Sequence, residues 1–170
     1  MKIALVISGN LRTFSKPQQK ISISEMYKKI VNKYNIDTFA YTDTNDFFYN
    51  NDINDINDDD KKKEIILNIL KKTFGSSLKK FQIDTYKKNF FPIIQNNKYH
   101  TNYINYNSGR KMFGRASKCS ILNMSYKTLK CYELLCKYEK NNNIKYDIII
   151  KTRFDCVPVD IINNIDITKF

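Results

Sequence analysis

Two short stretches of this chain end in residues that can do chemistry. Residues 146–155, YDIIIKTRFD, close on Arg153 and Asp155, and residues 2–14, KIALVISGNLRTF, contain Ser8, Gly9, Asn10 and Arg12. A lone carboxylate such as Asp155 does not run acid–base chemistry with any clear identity. It can ligate Mg2+ or Mn2+, hard cations often shared between one or two carboxylates and substrate phosphates. Arg153, two residues earlier, has the planar fork that pairs with a diphosphate oxygen. The same two residues can equally form an Arg–Asp ion pair that closes a strand. In the other stretch Gly9 lets backbone amides approach a ligand, Ser8 and Asn10 offer hydrogen bonds, and Arg12 brings charge. The loop carries neither G-x-x-x-x-G-K nor G-x-G-x-x-G, so no P-loop or dinucleotide fingerprint is present.

Both stretches must be positioned by strands. Their apolar runs are rich in Ile and Val and too short to cross a membrane, as buried parallel strands are. Alternation along 146–153 puts Arg153 and Asp155 on one face and Phe154 on the other. The first strand is expected over 2–8, and a helix over 17–34, signalled by Ser15 and Pro17. A second strand is expected over 36–41, ending at Thr42 and Asp43. This β–α–β order predicts parallel strands joined by a right-handed crossover. A short basic helix is expected over 61–73, a third strand over 81–86 and a loop over 88–107. Residues 109–140 have the strongest helical spacing, with Ile121, Leu122, Met124, Leu129, Tyr132, Leu135 and Cys136 as the apolar positions. The basic start of that helix (Arg110, Lys111, Arg115, Lys118) opposes the helix dipole, so those cations face solvent or serve an anion. The expected fold is α/β, a Rossmann-like, mostly parallel sheet with flanking helices. Ligands of such sheets bind outside the carboxyl ends of the strands, which predicts one site from the two polar tips.

Composition sets the bounds. At 170 residues, 42% hydrophobic and 14% aromatic, the chain is expected to form a single domain over 1–170 with a real core. Residues 44–60, TNDFFYNNDINDINDDD, read as a mobile acidic insertion. They fail as an EF-hand: counting from Asp52, Asn57 and Lys63 stand where the loop needs Gly and Glu. The net charge is +12, and seven Asp fall between Asp43 and Asp60, leaving +19 on the rest. That charge fits a solvated lysine-rich surface, and it also admits a basic nucleic-acid-binding module, although no fingerprint of one is present. The four cysteines (Cys119, Cys131, Cys136, Cys156) show no C-x-x-C pairing, and His100 is the only histidine, which argues against a structural zinc site. With no signal-peptide pattern and no apolar run of transmembrane length, the expected location is the cytoplasm.

Taken together, ISGNLRTF and YDIIIKTRFD resemble a group of glycosyltransferases from bacteria and giant viruses, in which an SGxxRTF-type opening and a YDxxxxxRxD segment recur. The resemblance implies a GT-A-like domain that binds a nucleotide-sugar donor, transfers the sugar to an acceptor, and holds Mn2+ or Mg2+ at a DxD-type motif. Arg153-Phe154-Asp155 stands where DxD stands, with Arg in place of the first Asp. IDTFAYTD, ending in Asp43, resembles the group's second strand. The implied nucleotide-sugar site is Ser8, Gly9, Asn10, Arg12, Asp43, Arg153 and Asp155, with Asp155 as the metal ligand. The chain ends at Phe170, ahead of the acceptor-binding half of a usual GT-A enzyme. The expectation is therefore a nucleotide-binding half, either part of something longer or a non-catalytic remnant of the fold.

Overall fold

Four parallel strands make the central sheet of the computed structural model, which describes residues 1–11, 14, 17–18, 21–44, 58–85 and 118–156. In chain order the elements are β1 (Ile3–Ser8), β2 (Pro17–Gln18), β3 (Ile21–Ser22), α1 (Ile23–Tyr34), β4 (Asp37–Asp43), α2 (Asp59–Phe74), β5 (Leu78–Asp84), α3 (Lys118–Asn142) and β6 (Ile148–Arg153). The sheet order is β5-β4-β1-β6, with every pairing parallel. The chain thus starts in the middle of the sheet, runs outward through β4 and β5, and returns to the other side of β1 with β6. The expected Rossmann-like α/β architecture is what forms, and its strand order reverses between β1 and β6. Among the described residues no helix is long and apolar enough to cross a membrane.

Strand alternation builds two cores. Ile3, Leu5 and Ile7 of β1 pack with Tyr27, Ile30 and Val31 of α1 and Ile66, Leu70 and Phe74 of α2. Ala4 and Val6 point the other way and pack, with Phe39 and Tyr41 of β4, against Cys131 and Leu135 of α3. The period of two thus yields three layers, with β1 buried along its whole length as a central parallel strand should be. Phe14 anchors the first core: its ring lies 5.9 Å from Tyr27, 6.1 Å from Phe74 and, edge-on, 5.0 Å from Phe154. Phe154 is fully buried in that core. The alternation read from 146–155 therefore holds, with Arg153 turned toward the α3 layer.

Three expectations need correction. Pro17 does not open a helix; it lies in a two-stranded antiparallel pairing with β3. The helix starts at Ile23 because Ser22 and Glu25 form a capping box: Ser22 Oγ accepts from the Glu25 amide at 3.3 Å, and Glu25 Oε2 accepts from the Ser22 amide at 3.1 Å. The third strand is shifted toward the N-terminus, to Leu78–Asp84. The face of α3 is also rotated. Leu129 and Tyr132, expected on the apolar side, are 55% and 45% exposed, whereas Lys127, Cys131 and Leu135 are buried. Apolar residues occur around the whole circumference of this helix, so their spacing alone does not single out the buried face. Cys131 Sγ lies 3.1 Å from the Phe39 carbonyl and 3.5 Å from that of Ile7, and burial pushes its thiol up to about 12. Residues 45–57 of the acidic insertion, the loop over 88–107, Arg12, and Arg110, Lys111 and Arg115 lie outside the described residues.

The rotated face is directly measurable. Leu135→Ala should lower unfolding free energy by about 2–5 kcal/mol through the cavity it leaves. Leu129→Ala should stay within about 0.5 kcal/mol. Equal losses in urea denaturation would contradict this orientation of α3.

Candidate functional site

The carboxyl ends of β1, β4 and β6 emerge side by side. Ser8 pairs in register with Arg153 on one side and Tyr41 on the other. Immediately beyond, Gly9 has φ +117°, a backbone conformation that L side chains rarely adopt. A Cβ there would meet no atom within 4 Å, so the requirement for glycine comes from the backbone angle and not from crowding. The turn is fixed by the Gly9 amide donating to the Tyr41 carbonyl at 3.3 Å. The Thr42 hydroxyl in turn donates to the Gly9 carbonyl at 2.8 Å.

Across these tips runs one stripe of α3. Met124, Lys127 and Thr128 are spaced i, i+3, i+4 and so share a helix face. Thr128 Oγ1 lies 3.2 Å from Ser8 Oγ and donates to the Met124 carbonyl at 3.0 Å, which leaves Ser8 as the donor between the two hydroxyls. Lys127 Nζ lies 2.9 Å from Asp43 Oδ2 and donates to Asn10 Oδ1 at 2.9 Å. Arg153 Nη1 lies 2.8 Å from Met124 Sδ. Four of the expected site residues (Ser8, Asn10, Asp43 and Arg153) thus meet a single turn of one helix.

The Lys127–Asp43 pair is the most constrained part of the site, with side chains only 2% and 3% exposed. Removing either charge from water costs several kcal/mol even after relaxation, so each is tolerable only beside the other. At the neighbouring tip of β5, Asp84 accepts from the Tyr41 hydroxyl and, at 2.7 Å, from Gln82 Nε2. Burial, reinforced by Asp84, raises the Tyr41 phenol well above its ordinary range.

Arg153 and Asp155 form a two-pronged pair, Nε to Oδ1 at 2.8 Å and Nη2 to Oδ2 at 2.6 Å. The pair is partly open to solvent, with side chains 41% and 30% exposed. Its backbone is held from the opposite layer. The Tyr27 hydroxyl lies 2.6 Å from Thr152 Oγ1, 3.2 Å from the Arg153 carbonyl and 3.1 Å from the Cys156 carbonyl. Burial pushes that phenol up to about 12. Both Asp155 oxygens are therefore engaged by the guanidinium. Among the described residues no group of three or more His, Cys, Asp or Glu could hold a metal ion. This donor set does not make a resident metal cage.

Asp43, expected among the nucleotide-sugar-binding residues, is buried and is joined to Asn10 of the β1 loop through Lys127. Lys127, Met124, Thr128 and Tyr27 were not assigned to the site from sequence. The available signal for Lys127 was a lysine falling in the row 124, 127, 131, 135, at the three- and four-residue spacing of a buried helix face. Compared with protein-family models, curated proteins and solved structures, the chain matches none.

Because the buried pair stands or falls together, Lys127→Met alone should cost about 3–5 kcal/mol of stability by stranding Asp43. Adding Asp43→Asn should recover more than half of that loss in thermal or urea unfolding. A double variant no more stable than the single one would contradict the pairing.

Proposed function

We propose that this chain is a nucleotide-sugar-binding domain of glycosyltransferase type, with the donor's diphosphate lying over the carboxyl ends of β1 and β6. The observation that carries the reading is the reversal of strand order between these two strands. Gly9 and Asn10 follow β1, and Arg153 and Asp155 stand at the end of β6, the neighbouring strand across that reversal; ligands of open α/β sheets bind at such a point. The resemblance of ISGNLRTF and YDIIIKTRFD to a glycosyltransferase group supplies the substrate class.

In this reading the residues divide the work. The Gly9 turn brings main chain close to the ligand without a side chain in the way, and Asn10 contributes a polar group beside it. Arg153, in its solvent-open fork, exchanges the Asp155 oxygens for diphosphate oxygens that fit the same planar geometry. Asp155, released, becomes a carboxylate next to a polyanion, a position suited to sharing Mn2+ or Mg2+ with it. When bound, such a cation neutralises the diphosphate leaving group as an acceptor attacks the sugar's anomeric carbon. Tyr27 and Phe154 keep the Arg153–Asp155 segment in place while its side chains exchange partners.

Calorimetry with UDP- and GDP-sugars, with and without Mn2+, tests this on wild type and Asp155→Ala. Wild type should bind at least one donor more tightly with Mn2+, and Asp155→Ala should lose roughly tenfold or more in affinity, as expected for a charged contact. No binding by wild type overturns the proposal, and equal binding by both proteins removes Asp155 from the site.

A further inference from the structure

The Lys127–Asp43 pair invites a question of purpose. A buried ion pair is often no more stabilising than well-packed apolar residues of the same volume, so its stability contribution does not explain its position. What the pair does that apolar residues could not is reach a third group. Lys127 Nζ also donates to Asn10 Oδ1 at 2.9 Å. Asn10 lies beyond the last residue of β1, next to Gly9 at φ +117°, where the chain leaves the sheet. An ammonium is a compact charge with several rotatable donors, suited to serving acceptors that arrive from different elements. Here one acceptor comes from the tip of β4 and the other from the loop after β1. On the same face of the helix, Thr128 holds Ser8 and Met124 meets Arg153.

We propose that Lys127 is the positioning residue of this site: by bridging Asp43 and Asn10 it sets the path of the loop on which the ligand's diphosphate rests. The proposal rests on the nucleotide-sugar reading for its ligand, and on geometry alone for its effect on the loop. Lys127 itself, with its side chain 2% exposed, acts through Asn10.

The test compares wild type with Lys127→Met/Asp43→Asn and with Asn10→Ala in two readouts. The first is amide hydrogen exchange at Gly9 and Asn10, which needs no ligand; the second is affinity for UDP- and GDP-sugars. The double variant carries no stranded charge, and Asn10→Ala leaves the ion pair intact should the double variant fail to fold. Exchange at residues 9 and 10 should quicken by roughly tenfold or more while Leu5 and Val6 keep their protection, since only local opening is made easier. Donor affinity should fall roughly 10- to 100-fold, the scale of a lost hydrogen bond to a charged group. Unchanged exchange at residues 9 and 10 in a folded variant overturns the proposal whatever the ligand does. A loosened loop with wild-type affinity overturns it too, since the loop would then not position the donor. If wild type binds no nucleotide-sugar, the functional reading fails, and the exchange result alone decides whether Lys127 sets the loop.

Discussion

A lysine ammonium withdrawn from water has to meet a counter-charge, and in this fold that demand fixes where α3 lies. Lys127 finds Asp43 at the tip of β4 and Asn10 beyond the tip of β1. Once it does, Thr128 is set against Ser8 and Met124 against Arg153. One helical turn thereby gathers the ends of three strands. Further along the same face, Cys131 and Leu135 pack on Val6 and Phe39, so an apolar core continues where the polar contacts end. Stability and site geometry are joined through a single row of residues.

The opposite layer acts on the same tips by different means. Phe14, Tyr27, Phe74 and Phe154 form an aromatic cluster beneath the sheet. From it the Tyr27 hydroxyl reaches the Thr152 side chain and the Arg153 and Cys156 carbonyls. Phe154 is sunk into that cluster, so the residues flanking it, Arg153 and Asp155, are turned outward as a pair. The backbone is held by these contacts while the two side chains stay partly exposed.

The strands were legible because their signal is local. The Ile/Val runs of β1 and β6, and the alternation that separates Arg153 from Phe154, need only neighbouring residues to be read, and parallel pairing followed from the β–α–β order. The strand tips Ser8, Gly9, Asn10 and Arg153 were accordingly found from sequence. The start of α1 was also local, in the Ser22–Glu25 box, but Pro17 offered a competing signal at the same scale. The Lys127–Asp43 contact was not legible, since it joins residues far apart in the chain, and the spacing that sets Lys127 on a buried helix face does not name its partner. The face of α3 was ambiguous for a related reason: Leu129 and Tyr132 are as apolar as Leu135, and the choice among them is made by what Lys127 must reach. The two-residue spacing of Arg153 and Asp155 admits both an ion pair and a phosphate or metal contact. It is the ion pair that forms in the structure.

The central claim is that a ligand rests on the tips of β1 and β6 beneath the stripe of α3. Amide chemical-shift mapping during titration with a UDP- or GDP-sugar tests it residue by residue. Shifts should concentrate at Ser8, Gly9, Asn10, Arg153, Asp155 and Thr128, with α1 and α2 silent. Shifts confined to the exposed lysines of α1 and α2, such as Lys28, Lys29, Lys71 and Lys72, with the strand tips unmoved, would contradict the account.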